Sequence, residues 1–193
     1  MLDFSNSKIL IVGDVMLDKY YFGKVDRISP EAPVPIVNIQ KEESRLGGAS
    51  NVANNIVSLG GHSLLCGVIG HDLFGKEIER ISRHKNIDTF LLKTSSPTIT
   101  KARIIGGKQQ IVRVDYEDKS ELNADNKKLF RDTISRILPE YDILVISDYG
   151  KGLISEDLCR YLIKLAHKYD KKVIIDPKGK NWEKYSGADI LFL

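Results

Sequence analysis

"KILIVGD", Lys8–Asp14, is a continuous apolar run that ends in Gly-Asp. Runs of this kind mark strands buried on both faces, as in parallel sheets. Two later stretches repeat the pattern, "DILVISD" (Asp142–Asp148) and "KKVIIDP" (Lys171–Pro177). Three strands therefore end in an acid. In open α/β sheets, ligands bind beyond the carboxyl ends of the strands. Asp14, Asp148 and Asp176 are thus expected to gather on one edge. One such acid would equally serve as a helix cap, whereas three at equivalent positions favour a shared functional edge.

The segments between these runs set the fold class. "YYFGKV" and "VPIVNIQ" read as short strands, and Pro30, Pro33 and Pro35 confine them to an edge or a separate small layer. A helix is expected from Ser50 to Leu59, with Val52, Ile56 and Leu59 on its apolar face and Gly60-Gly61 as its stop. "SLLCGVIG" is a buried-type strand, "LFGKEIERISRHK" an amphipathic helix with Phe74, Ile78 and Ile81 on one face, and "DTFLLKT" a strand. "TITKARIIGG" and "KQQIVRVDYED" form a hairpin signature around Gly106-Gly107. "NADNKKLFRDTISRIL" is a helix with Asn123 as N-cap, "SEDLCRYLIKLAHKYD" another, and "ADILFL" an apolar strand. Strands alternating with helices predict an α/β fold with a largely parallel sheet.

Composition narrows the function classes. Twenty-nine Lys and Arg oppose 26 Asp and Glu, for a net charge of +3 spread along 193 residues. That is too mild and too dispersed for a nucleic-acid binder, while a small anionic substrate fits. Cys66 and Cys159 lie far apart in apolar segments and read as reduced core residues. No run reaches the ~18 apolar residues of a membrane span, so a soluble, cytoplasmic protein is expected. The four histidines are scattered and form no ligand or triad pattern. The chain has no G-x-x-x-x-G-K-[ST], no G-x-G-x-x-G after its first strand and no G-x-S-x-G.

Several residues carry chemistry that suits an anionic, hydroxyl-bearing ligand. "RLGGASNVANNIVSLGG" (Arg45–Gly61) places Gly47 and Gly48 at the mouth of a helix, followed by Asn51. Glycine lets another group approach the backbone, and a helix start offers free N–H groups. The same stretch also serves as a tight turn that only joins a strand to a helix. Asp14 and Asp18 in "GDVMLD" can accept hydrogen bonds from sugar hydroxyls or cap the next turn. Lys151 in "SDYGKG" and Lys178 in "DPKGKNW" are candidate phosphate contacts or ordinary loop lysines. Arg113 and Asp115 in "RVDYED" share a strand face and can pair with each other.

"IVGDVMLD", a β excursion, "RLGGASNVANNIVSLGG" and "GVIGHDLFG" follow one another in an order that resembles the opening of the ribokinase-like (PfkB-type) sugar kinases. "RISPEAPVP", "PTITKARIIGGKQQIVRVDYED", "ISDYGKG" and "IIDPKG" are similar to the heptose-phosphate members of that family. The resemblance covers essentially the whole chain. It implies a doubly wound, mainly parallel sheet with a small β lid over about residues 19–46 and 98–116. It implies sugar contacts from Asp14, Asp18, Gly47, Gly48 and Asn51, with Lys101, Arg103, Arg113, Asp148 and Lys151 as further contacts to sugar or phosphate. Arg27 would belong to the lid and to a homodimer interface, and Lys178 to the nucleotide side. The implied reaction transfers the γ-phosphate of ATP, with Mg²⁺, to O1 of D-glycero-β-D-manno-heptose 7-phosphate, a precursor of the lipopolysaccharide inner core. Some members are fused to an adenylyltransferase domain. The family's asparagine–glutamate motif and its Gly-Ala-Gly-Asp loop, which carries the general base, do not occur in these 193 residues. The chain alone is therefore expected to be inactive. A non-catalytic sugar-phosphate-binding or dimerisation module, or a kinase for another sugar such as fructose 6-phosphate, are the alternative readings.

Overall fold

The computed structural model describes residues 3–192. Two sheets organise them. The larger has six parallel strands: β1 (Lys8–Gly13), β4 (His62–Gly70), β5 (Asp88–Thr94), β8 (Ile143–Ser147), β9 (Lys172–Asp176) and β10 (Ile190–Leu191), in the order β10-β9-β8-β1-β4-β5. The smaller has β2 (Val15–Ile28), β3 (Pro35–Gly48), β6 (Thr100–Gly106) and β7 (Gln109–Tyr116), in the order β3-β2-β6-β7. Four helices complete the fold: α1 (Ala49–Ser58), α2 (Leu73–His84), α3 (Ala124–Ile137) and α4 (Glu156–Lys168).

Alternation along β1 shows why the large sheet is covered on both faces. Leu10 and Val12 join Phe130 and Ile134 of α3 and Cys159, Leu162 and Ala166 of α4 in one buried cluster. Ile11 joins Ala49 and Ala53 of α1 and Ile78 and Ile81 of α2 in another. A strand buried on both sides has no use for polar alternation. Each large apolar side chain so buried contributes about 1.5–3 kcal/mol. Both cysteines are free and buried; burial pushes the Cys66 thiol upward and the Cys159 thiol to about 11. Among the described residues no helix is long and apolar enough to cross a membrane.

Two expectations need correction. The excursion holds strands of 14 residues each, not short ones. Pro30 and Pro33 lie in the turn between them, closed by the Ser29 amide on Val34 O (2.9 Å), and Pro35 opens β3. No proline interrupts the ladder. Val52 and Ile56 of α1 pack half-buried against the core as expected, but its fully buried residues are Ala49, Ser50 and Ala53, and Leu59 is 66% exposed. Small residues let α1 lie close to the sheet, with the Ser63 hydroxyl on Ala53 O.

The chain runs from β1 outward to β4 and β5, then returns to the other side of β1 for β8, β9 and β10. The strand order reverses between β1 and β8, where Gly13 lies opposite Ser147, and Ser147 opposite Asp176. The crevice of such a sheet opens at this reversal.

Candidate functional site

Strand register assembles the site. β2 pairs antiparallel with β3 and parallel with β6. Arg45, Asp18 and Lys101 therefore form one row across the sheet, and Glu43, Tyr20 and Arg103 the next. Residues two apart along a strand share a face, so both rows point the same way. Arg103 Nη1 donates to Asp18 Oδ1 at 2.6 Å, and Arg45 Nη2 to Glu43 Oε2 at 2.7 Å. The two guanidinium carbons sit 4.9 and 5.1 Å from the Tyr20 ring centroid, within cation–π range. Gly47, Gly48, Asn51 and Asn54 close one side, Lys85 follows α2, and Tyr149 closes the side toward β8. Lys101 Nζ lies 5.8 Å from the Tyr149 ring centroid. Together these residues line a cleft of about 760 Å³.

The glycine pair is required by close approach. A Cβ on Gly47 would lie 2.5 Å from Asp18 Oδ2. Gly48 has φ 56°, and a Cβ there would lie 2.4 Å from the Asp14 carbonyl oxygen. Gly48 is also the N-cap of α1 and brings no capping side chain. The Ala49 amide donates to Asp14 O, and the buried Ser50 hydroxyl donates to Gly47 O at 2.6 Å. Asn51 stands in the first turn of α1, where backbone N–H groups have no intrahelical partner.

The cleft gathers Asp18, Gly47, Gly48, Asn51, Lys101 and Arg103. The other sequence candidates lie elsewhere. Asp14 is 2% exposed, and its Oδ2 accepts the amides of Tyr149 (2.8 Å) and Lys151 (3.1 Å). Burial holds its carboxyl above the usual range, against the pull of those amides. It lines a second cavity of about 230 Å³ with Thr94, Asp118 and Lys151. The Asp14 carboxylate pins the loop carrying Tyr149, while its backbone carbonyl meets the glycine pair and accepts the Ala49 amide at 3.0 Å. The Lys151 ammonium is paired with Glu117. Asp148 joins Asp14 and Asp176 at the sheet edge as expected, but it is spoken for by Lys184, the Tyr185 hydroxyl (2.7 Å) and the Gly150 amide (2.8 Å). Arg113 pairs with Asp115 (2.8 Å) on edge strand β7, and Arg27 lies opposite Ile36 near the far end of β2. Lys178 follows β9, and its amide donates to the Tyr185 hydroxyl.

Tyr20, Arg45, Asn54, Lys85 and Tyr149 line the cleft and escaped the sequence reading. The steps of two from Asp18 to Tyr20, and from Glu43 to Arg45 to Gly47, are the signal that could have found the strand residues. Among the described residues no group of three or more His, Cys, Asp or Glu side chains is placed to share a metal ion.

Comparison with known proteins adds to this geometry. Residues 6–193 match the model of the pfkB family carbohydrate kinases. The chain is 47% identical over 186 residues to the bifunctional protein HldE of Helicobacter pylori (strain P12), covering 95% of this chain and 40% of that protein. It is 44% identical over 188 residues to the D-beta-D-heptose 7-phosphate kinase of Bordetella bronchiseptica, covering 97% of this chain and 59% of that protein. It therefore spans less than two thirds of either relative. The fold is that of a carbohydrate kinase from Agrobacterium tumefaciens, with a TM-score of 0.71 at 18% identity. It is likewise that of phosphofructokinase-2 from Escherichia coli, with a TM-score of 0.71 at 19% identity. The chain belongs to the pfkB family of carbohydrate kinases, with the ribokinase-like α/β fold.

Proposed function

We propose that this chain is the acceptor-binding part of a kinase that transfers the γ-phosphate of ATP to O1 of D-glycero-β-D-manno-heptose 7-phosphate. The observation that carries the proposal is the chemistry of the cleft. It combines four cations, Arg45, Lys85, Lys101 and Arg103, with two carboxylates, Asp18 and Glu43, and two exposed-side amides, Asn51 and Asn54. The positive surplus suits a phosphate, and the carboxylates and amides suit hydroxyls. The names of the HldE and heptose kinase relatives supply the sugar. Asp18 would accept a sugar hydroxyl while holding Arg103, and Asn51 would grip a second hydroxyl with donor and acceptor. Tyr149 would lie against the ring. ATP is the family's donor, and Lys178, beyond β9, is the one contact assigned to it here. The proton-accepting base is assigned to none of these residues. Phosphoryl transfer rests on positioning and electrostatics, so this part supplies the acceptor's place and another part the donor's. The second sheet would act as lid, and its edge strand β7, with Val112, Val114 and Tyr116 partly exposed, would pair two copies. Sedimentation equilibrium tests that pairing.

The test of function is a calorimetric titration of the heptose 7-phosphate into the full-length protein, with fructose 6-phosphate as control. Saturable heptose binding, weakened about 10–100-fold in Asp18→Ala, is the expected result, since hydrogen bonds to charged groups contribute about 1.5–3 kcal/mol. Preference for fructose 6-phosphate, or an unchanged affinity in the variant, overturns it.

A further inference from the structure

Asp72 is the N-cap of α2, and its Oδ1 accepts the Gly75 amide at 2.8 Å. An ordinary cap ends there. Here the same Oδ1 accepts the Thr98 hydroxyl at 2.7 Å, and Oδ2 accepts the Thr98 amide at 2.8 Å. The Thr98 hydroxyl in turn accepts the Gly70 amide at 2.8 Å. Thr98 is 1% exposed, so its hydroxyl and amide are satisfied away from water, by an Asp72 that is itself half-buried. Two glycines make room for it. A Cβ on Gly70 would lie 2.7 Å from Asp72 Oδ2, and one on Gly75 would lie 2.9 Å from the Thr98 hydroxyl oxygen.

Thr98 is where the chain enters the second sheet. One residue on, Ile99 O accepts the Leu17 amide at 2.9 Å. From there β6 runs beside β2 with Lys101 opposite Asp18 and Arg103 opposite Tyr20. Phe74 of α2 packs on Tyr116 of β7, with ring centroids 5.5 Å apart, as a second tie between α2 and the smaller sheet.

We infer that Asp72 and Thr98 are positioning residues: their knot fixes where β6 starts, and thereby sets Lys101 and Arg103 against Asp18 in the cleft. Neither residue lines the cleft. The inference rests on the acceptor-site reading for its consequence on affinity, and on the knot alone for its consequence on β6.

The experiment uses the full-length protein with Thr98→Val, Thr98→Ser and Asp72→Asn. Valine keeps the shape and removes the hydroxyl; serine restores it. Asparagine keeps one acceptor and sets an amide NH₂ or a lost charge against the Thr98 amide. Thr98→Val and Asp72→Asn should bind heptose 7-phosphate at least tenfold more weakly, with KM for ATP within twofold of the parent. Thr98→Ser should bind within threefold of the parent. Hydrogen exchange should quicken at the amides of residues 101–103 in Thr98→Val and stay unchanged in α4. Parent-like affinity in a folded Thr98→Val, an equal loss in ATP use, or no rescue by serine overturns the inference. If the parent itself binds no heptose phosphate, the substrate reading fails and exchange decides: quickening confined to β6 and its neighbours upholds the knot, and an unchanged or uniform pattern sinks it.

Discussion

Asp148→Ala is expected to lower the stability of the full-length protein by about 3–5 kcal/mol, the usual cost of breaking a buried ion pair on one side. Asp148 is 2% exposed, and the Lys184 side chain that it pairs with is only 15% exposed. Alanine would strand that ammonium. It would also remove one acceptor of the buried Tyr185 hydroxyl, leaving it Lys178 O at 3.0 Å, and the acceptor of the Gly150 amide. Burial and the carboxylate together hold the Tyr185 phenol well above its ordinary range, so it stays a donor at any physiological pH. Calorimetric melting would report the change as a fall in Tm of about 6–20 °C, at about 2–4 °C per kcal/mol for a domain of this size. The control is Asp148→Ala in a Lys184→Met background, where no ammonium is left unpaired. The cost of the aspartate substitution should shrink by half or more there. A cost that is the same in both backgrounds would mean that the pair is not what Asp148 supplies.

Gly48→Ala should be nearly as damaging, and for a different reason. A left-handed backbone costs a non-glycine residue about 1–2 kcal/mol, and forcing atoms into a packed site adds about 1–3 kcal/mol. At Gly48 both apply: φ is 56°, and the new Cβ would meet the Asp14 carbonyl oxygen at 2.4 Å and Met16 Cε at 2.8 Å. Neither obstacle is easily moved, since Asp14 O accepts the Ala49 amide and Met16 is buried. A loss of about 2–5 kcal/mol follows from these two principles together. Gly60→Ala separates the contributions, because Gly60 also has positive φ, 91°, but nothing lies within 4 Å of its Cβ position. Its cost should stop at the backbone share. If the two variants melt together, the close approach of β2 to Gly48 carries no weight. Gly48→Ala should also reduce sugar-phosphate affinity beyond what its stability predicts, because relief of the clash must move β2 or α1, both of which wall the cleft.

The layout of the large sheet was legible because β1, β8 and β9 are buried on both faces, and such strands write their burial as unbroken apolar runs. Asn123 was legible as a cap because capping is local: its side chain accepts the amide of Asn126, three residues on. The true length of β2 and β3 was hidden, since half of each strand is solvated and its alternation is diluted by lysine and glutamate. On α1, Val52 and Ile56 were legible, but the fully buried Ala49, Ser50 and Ala53 were hidden, because alanine and serine leave no apolar period to read. In the site, Gly47, Gly48 and Asn51 stood out because short-range spacing places them together, Asp18 because it closely follows the end of a buried strand, and the resemblance added Lys101 and Arg103. Arg45 was within reach, two residues before Gly47 on the same strand face, whereas Lys85 was not, because only helix packing brings it near. Asp14 shows a second use that local sequence does not distinguish: an acid at the end of a buried strand is as useful to a neighbouring loop as to a ligand.

The join between β2 and β6 has a consequence for synthesis. Asp18 and Arg103, which meet across it, are 85 positions apart. While the ribosome has delivered only the first hundred residues, the β2–β3 hairpin already exists as sequence, but the second edge of β2 has no strand to receive. An open edge invites pairing with another nascent chain. Charged side chains on an edge strand are one remedy, and β2 carries Lys19 within the stretch that β6 covers and Lys24 just past it. These lysines would then do their work before the smaller sheet is complete, as chaperones in cis for the interval in which β6 is still being made.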